Sequence, residues 1–182
     1  MSHGQTPADG RSPLPNVRIV HLNHEIFQAL AEGDLVAANT VAPVPLPAQF
    51  ADPDWRPVWS MRSAQVEQDP ACAGWVTGVI WDEQERIAVG RAGFHGLPDS
   101  SGMVEIGYEV DPAYRRRGYA RAALEYLLRR AASEPQVKTV RVTISPDNSA
   151  SYRLASHYGF VEVGEQWDDE DGLEIIYELP AN

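Results

Sequence analysis

The chain has 182 residues and a formal net charge of −11, from 26 acidic and 15 basic side chains, which argues against nucleic acid as a partner. Its hydrophobic fraction of 43% is ordinary for one globular domain, and no stretch reaches the ~20 apolar residues that a membrane span needs. Cys72 is the only cysteine, so the sequence excludes an internal disulfide and favours a reducing, cytoplasmic location.

The N-terminal residues predict a tail followed by one domain. Residues 1–16 are rich in Gly, Pro and Ser and lack the basic start and apolar core of a secretory signal. We therefore expect a flexible tail there and a single domain over residues 17–182. In that domain "VRIVHL" favours a strand, and Asn23 is a suitable N-cap for a helix that stops at Gly33.

The proline-rich segment 41–57 predicts a loop between short helices. A second helix is expected from Trp55 onward, because apolar side chains recur there, at Trp59, Met61 and Val66.

Three strand candidates then follow one another with short polar turns between them. They are "GWVTGVIWD" (74–82), "RIAVGRAGFHG" (86–96) and "MVEIGYEV" (103–110). Sequential strands joined by short turns are typical of an antiparallel meander.

The C-terminal half changes to an alternation of helices and strands. Apolar residues at helical spacing predict a helix of about four turns, with a stripe at Ala120, Ala123, Leu124, Leu127, Leu128 and Ala131. A strand over 137–144, a short helix ending at Gly159 and a final strand at 175–179 follow. A long helix between two strands implies that those strands are parallel neighbours. The fold class is therefore α/β with a mixed sheet, in which the antiparallel meander passes into a β-α-β-α-β half.

Three consecutive arginines, Arg115, Arg116 and Arg117, lie where this long helix is expected to begin, near Arg116 or Arg117. Positive charge at a helix N-terminus is unfavourable by some tenths of a kcal/mol, because the helix dipole is positive there. A bound phosphate would reverse that effect, and Gly118 would let it approach the backbone amides. The alternative is a solvated basic turn without a ligand.

"RRRGYA" (115–120) is similar to the Arg/Gln-x-x-Gly-x-Gly/Ala motif of the GNAT N-acetyltransferases. The strand before it, the helix after it and "NSASYRLASHYGF" downstream follow the order of that family. "EIGYEV", "PDNSAS" and "EDGLEIIYEL" resemble the branch that contains the ribosomal-protein-alanine N-terminal acetyltransferases. The resemblance implies a GNAT-like fold with splayed central strands.

The resemblance also implies an acetyl-CoA site. The backbone amides of residues 115–120 would hold the pyrophosphate, the end of the strand at Glu109 and Val110 would pair with pantetheine, and Asn148 would bind pantetheine or cap the next helix. The cofactor residues so implied are Glu109, Val110, Arg115, Arg116, Arg117, Gly118, Tyr119, Ala120, Asn148 and Ser151.

A carboxylate on the central strand could take a proton from the acceptor amine. Relatives often carry this base at the position of Glu105, with Glu109 and Asp111 as competitors here. By strand alternation Glu105 and Glu109 share one face of the strand. A solvated strand residue is the alternative for Glu105.

The proton donor departs from the family pattern. Many members carry a tyrosine seven residues after the asparagine, where this chain has Ala155. The ribosomal-protein branch has a serine that matches Ser151, so we expect Ser151 to act, with Tyr152 as the alternative.

The resemblance predicts a primary-amine acceptor, either a protein N-terminus or a small cationic amine. It also allows a homodimer, because relatives are often dimers. No metal site is expected, since the five histidines fall in no ligand spacing and are read as structural; they are His3, His21, His24, His95 and His157. A non-catalytic CoA-binding module and another phosphate-ligand protein remain as alternative functions.

Overall fold

The structure is a computed structural model that describes residues 13–182. The predicted tail, residues 1–16, lies outside the described residues except for its last four. Of these, Leu14 packs against the core.

The described chain has seven strands and five α-helices. The strands are β1 (Val17–Val20), β2 (Gly78–Asp82), β3 (Ile87–Phe94), β4 (Met103–Val110), β5 (Thr139–Ile144), β6 (Val161–Asp168) and β7 (Gly172–Pro180). The helices are α1 (His24–Glu32), α2 (Leu35–Val41), α3 (Arg56–Gln68), α4 (Tyr119–Ser133) and α5 (Ser149–His157).

One sheet contains all seven strands in the order β1-β2-β3-β4-β5-β7-β6. The strands β1 to β4 form the predicted antiparallel meander, and β5 joins β4 in parallel through the α4 crossover. The parallel pairing covers only Met103–Glu105 against Thr139–Arg141. The rest of β4 is free on that side, so the prediction of a mixed sheet with splayed central strands is confirmed.

Two apolar clusters lie on opposite faces of the sheet. The first packs α4 against the strands, with Ala123, Leu124 and Leu127 buried in it. The second joins α1 and α3 to the other face, through side chains such as Val20 and Val79. Both faces of the meander are therefore covered, and the ends of β4 lie between the two layers.

Local signals place most element boundaries near their predicted positions. The side chain of Asn23 accepts a hydrogen bond from the Ile26 amide (2.9 Å), and Gly33 ends α1 in a left-handed conformation (φ +76°). Met61 is an exception: it is 55% exposed, so it does not belong to the apolar stripe of α3.

Two further elements differ from the sequence expectations. The helix α4 begins at Tyr119 rather than at Arg116 or Arg117, because the left-handed turns at Arg116 and Gly118 interrupt helical geometry. The strand β6 was not among the sequence expectations; it is an edge strand whose side chains are nearly all exposed, including Val161, Val163 and Trp167.

Candidate active site

A cavity of about 570 Å³, here called the first cavity, opens between the end of β4, the start of α4 and α5. It lies where β4 and β5 have separated, so part of its wall is unpaired strand backbone. The lining residues are Tyr108, Glu109, Val110, Tyr114, Arg115, Arg116, Gly118, Tyr119, Ala120, Arg121, Asn148, Ala150, Ser151 and Leu154.

The loop before α4 presents backbone amides to this cavity. Arg116 (φ +62°) and Gly118 (φ +85°) are both left-handed, and no side chain caps the helix. Within residues 13–182 the amides of Arg116, Gly118, Tyr119 and Ala120 donate no hydrogen bond that meets standard geometry. Free amides at a helix start, together with the helix dipole, form a site for a phosphate.

The three arginines of this loop have different surroundings. Arg115 lines the cavity, and its Nε donates to the Val110 carbonyl (3.1 Å). Arg116 also lines it. The guanidinium of Arg117 instead lies over the Tyr114 ring, 5.6 Å from its centroid, and Arg117 lines neither of the two cavities described here.

Arg121 lies one helical turn after Arg117. It also lines the first cavity, and the sequence analysis did not identify it. Its Nε donates to the Tyr158 hydroxyl (2.9 Å) and to Glu125 (3.1 Å). These two hydrogen bonds raise the pKa of Arg121. The signal was available, because Arg121 lies in the first turn after the Arg115–Ala120 motif.

The backbone of β4 alternates between two partners. The backbone carbonyl of Glu105 accepts a hydrogen bond from the His95 amide (2.8 Å). In an antiparallel ladder the backbones of the residues two and four positions further, Gly107 and Glu109, also face β3. Tyr108 and Val110 therefore direct their amides and carbonyls toward the first cavity. Tyr108, rather than the predicted Glu109, has the orientation that would pair with pantetheine beside Val110.

The start of α5 contributes polar groups to the same cavity. The side chain of Asn148 accepts the Ser151 amide (3.1 Å), so Asn148 is the N-cap that was one of its two predicted roles. Ser151 and Tyr108 both line this cavity. Burial raises the pKa of Tyr108, and the nearby Ser151 hydroxyl opposes this in part. Tyr108 therefore remains protonated and able to donate.

Tyr152 points away from this group. Its ring packs on Tyr177 with the centroids 5.8 Å apart, it is 49% exposed, and it lines neither cavity. The structure therefore does not bring Tyr152 together with the other predicted site residues. Ala155, at the position of the family tyrosine, is buried in the core.

A second cavity of about 190 Å³ lies on the side of β4 that faces α3. It meets the first cavity at Tyr108 and Glu109, which line both. The lining residues are Val58, Arg62, Thr77, Arg91, His95, Gly107, Tyr108 and Glu109.

Both oxygens of the Glu109 carboxylate accept hydrogen bonds. Trp55 Nε1 donates to one (3.1 Å) and Arg91 to the other (2.6 Å). The Arg91 guanidinium in turn lies over the Trp55 ring, 4.8 Å from its centroid. Glu109 is therefore engaged as a structural anion and is a poor candidate for the base.

Glu105 on β4 and His95, which directly follows β3, form a pair on the same face of the sheet. Thr143 donates to Glu105 Oε1 (2.8 Å), and His95 Nδ1 lies 3.6 Å from that oxygen. Desolvation by its surroundings lowers the pKa of His95; Glu105 opposes this and Arg62 adds to it. His95, and not Glu105, lines the cavity, although nothing in the sequence singled out this histidine.

The structure thus separates the predicted site residues into two groups. Those that line the first cavity are Glu109, Val110, Arg115, Arg116, Gly118, Tyr119, Ala120, Asn148 and Ser151. Those that line neither cavity are Glu105, Arg117 and Tyr152. The lining residues that sequence reasoning missed include Arg62, Arg91 and His95, which come from three different elements or turns and form no local motif.

Residues 13–182 contain neither a metal-binding group nor a membrane-spanning helix. No three His, Cys, Asp or Glu side chains are grouped so as to hold a metal ion. None of the helices there is long and apolar enough to cross a membrane.

Comparison with known proteins shows a matching family. Residues 21–161 match the family described as "Acetyltransferase (GNAT) domain". The uncharacterized N-acetyltransferase YjdG of Bacillus subtilis (strain 168) is 32% identical over 88 residues, which cover 48% of this chain and 52% of that protein. The chain therefore spans about half the length of the curated relatives it matches.

Solved structures share the fold at low sequence identity. A chimera of the spermidine N-acetyltransferase SpeG from Vibrio cholerae superimposes with a TM-score of 0.64 at 12% identity, over 91% of this chain and 95% of that one. The ribosomal alpha-N-protein acetyltransferase RimL, in complex with coenzyme A, gives a TM-score of 0.61 at 16% identity, over 93% and 95%.

Proposed function

The chain belongs to the GNAT acetyltransferase family, and on that basis we propose that it transfers an acetyl group from acetyl-CoA to a primary amine by direct attack in a ternary complex. The observation that carries this proposal is the meeting of the two cavities at Tyr108 and Glu109. A donor in the first cavity and an amine in the second would approach each other across the end of β4.

The residues of the first cavity suit acetyl-CoA. Free amides at Arg116 and Gly118 to Ala120, with the guanidinium groups of Arg115 and Arg116, are the donor set that a pyrophosphate prefers. The Tyr108 and Val110 backbone can pair with pantetheine as an added strand would, and Asn148 lies opposite. Acetyl-CoA would supply the activated acetyl group at the end of β4.

We assign proton removal from the amine to His95, with Glu105 as its positioning partner. His95 lines the second cavity, its lowered pKa keeps the ring neutral near pH 7, and Glu105 lies on its Nδ1 side. As the amine nitrogen bonds to the acetyl carbon and the carbon–sulfur bond breaks, the Tyr108 hydroxyl can donate to the departing sulfur. Ser151 supports that hydroxyl.

A non-catalytic CoA-binding module is the second candidate. The observation that favours it is Ala155, which stands where many family members carry the acid tyrosine. The Tyr108 hydroxyl beside Ser151 offers another donor and weighs against it.

The acceptor and the closer branch also belong to the proposal. The structural neighbours include an enzyme named for spermidine and one named for a ribosomal protein, so the fold is compatible with both acceptor classes. The motifs around "EIGYEV" and "PDNSAS" resemble the ribosomal-protein branch, but this resemblance does not decide between the two acceptor classes.

Calorimetry with acetyl-CoA and a thiol-release assay on a panel of amines test the proposal. We expect His95→Gln and Glu105→Gln each to lower kcat about 100-fold with little change in the acetyl-CoA Kd. The double variant should be no slower than the worse single one, since the two residues act as a unit.

The pH profile gives a separate readout of the base. The His95 pKa lies below its ordinary value of 6.5, so wild-type kcat should stay level near pH 7 and fall only below pH 6.5, as the ring takes up a proton. The His95→Gln variant should lack this acid limb. Tight acetyl-CoA binding without turnover on any amine would instead favour the binding module, and competition by ATP or phosphate alone would favour a different phosphate ligand.

A further inference from the structure

Arg62 is a buried cation whose hydrogen-bond partners are all neutral. The residue is 5% exposed on α3, where its Nε donates to Thr77 Oγ1 (3.0 Å). Its Nη1 donates to Gln65 Oε1 (2.7 Å) and to the His95 carbonyl (3.3 Å). Among the described residues no carboxylate lies within 4.0 Å of this guanidinium, and its Nη2 donates no hydrogen bond.

A second arginine lines the same cavity. Arg91 is paired with Glu109, but its Nε is buried and has no partner among the described groups. Burial first, and repulsion by Arg91 second, lower the pKa of Arg62 to about 10. Both effects make the charged form of Arg62 unfavourable in the free protein. An anion in the cavity would reduce this free-energy cost.

The second cavity also carries the opposite charge. Glu109 lines it, and Glu105 lies behind His95. Its volume of about 190 Å³ corresponds to roughly six water molecules at about 30 Å³ each, which is enough for a small molecule. A cavity with an uncompensated guanidinium and a base near carboxylates is complementary to a small zwitterion.

We propose that Arg62 binds a carboxylate of the acceptor, so that the acceptor is a small amino-acid-like molecule whose amine lies toward His95 and Tyr108. This inference rests on the proposed function and narrows its acceptor. A polyamine would place a second cation against Arg62 and Arg91. A protein N-terminus carries no carboxylate of its own next to the amine.

Matched acceptors test the inference without any mutation. L-amino acids and β-alanine are compared with their primary amides at saturating acetyl-CoA. At neutral pH a larger fraction of the amine is unprotonated in the amides than in the acids. Amine reactivity alone would therefore favour the amides. We expect the acids to have a kcat/KM at least 100-fold higher for the preferred side chain, since losing one partner of a buried charged pair has an effect of that size.

Variants assign the preference to Arg62. Arg62→Met should bring the acid-to-amide ratio close to one, chiefly through KM, with an unchanged acetyl-CoA Kd, and Arg62→Lys should retain part of the ratio. The matched control is Arg129→Met, which removes the same charge from the exposed face of α4 and should keep the wild-type ratio. Equal use of acids and amides by the wild type, or an unchanged ratio in Arg62→Met, would overturn the proposal.

The subsite has a readout that does not need catalysis. In the presence of CoA, the preferred amino acid should raise the melting temperature of the wild type but not that of Arg62→Met. If no amine is acetylated and this difference is still seen, the transfer reaction is wrong and the anion subsite stands. If amines are acetylated and the difference is missing, the subsite is wrong and the reaction stands.

Discussion

The left-handed turn at Gly118 gives a quantitative test of the phosphate loop. Gly118→Ala places a Cβ on a residue with φ +85°, where an L side chain costs about 1–2 kcal/mol. The new Cβ would also lie 3.2 Å from Leu14 and 3.3 Å from Pro15. Relief of this strain turns the loop amides away from the cavity, and a bound phosphate must restore them. A penalty of about 1.4 kcal/mol then weakens acetyl-CoA binding tenfold.

Gly159→Ala is the matched control for this change. Gly159 has nearly the same backbone (φ +83°), it lies outside the first cavity, and its added Cβ would have no heavy atom closer than 3.9 Å. Both variants should lower the melting temperature by about 2–4 °C per kcal/mol. Calorimetry with acetyl-CoA should show a weaker Kd for Gly118→Ala alone. A wild-type Kd in a comparably destabilised Gly118→Ala would refute the role of the turn.

Two substitutions probe the junction between the cavities. Gly107→Ala puts a Cβ 2.7 Å from His95 Nε2, so the imidazole ring must move. We expect kcat to fall about tenfold in steady-state kinetics, with a near-wild-type melting temperature. An unchanged kcat would show that the position of the His95 ring does not matter. Tyr108→Phe removes the hydroxyl beside Ser151 and should lower kcat about tenfold or more, whereas the control Tyr152→Phe should not; equal kinetics of the two would contradict the assignment.

The fold followed from the sequence where one strong local signal governed each element. The Asn23 cap, the Gly33 stop and the stripe of α4 are such signals, and each lies where it was expected. The edge strand β6 is different, because its stability comes from pairing with β7 and not from burial of its own side chains. Val161, Val163 and Trp167 alternate along it and stay exposed, so apolar alternation does not report burial in this strand.

The site also has one part that the sequence predicted and one part that it did not. The phosphate loop is one contiguous motif, and its residues were found together. The second cavity is assembled from α3, the residue before β2, β3, the turn after β3, and β4. Arg62 and Arg91 are 29 residues apart along the chain and meet only because α3 packs on the sheet. A single sequence carries no signal for such a meeting.

The helix α4, which follows the three arginines, has no side-chain cap at its N-terminus. Asn23, Asp34 and Asn148 cap α1, α2 and α5 through their side chains, and α3 has a proline in its first turn. The longest helix, α4, has Gly118 at this place and no side-chain cap, although a cap contributes about 1 kcal/mol. The same amides remain free for a ligand. At 100 times its Kd a bound donor stabilises the folded state by about 2.7 kcal/mol, which exceeds the missing cap. The loop is therefore less stable alone than a capped one, and acetyl-CoA would reverse that difference.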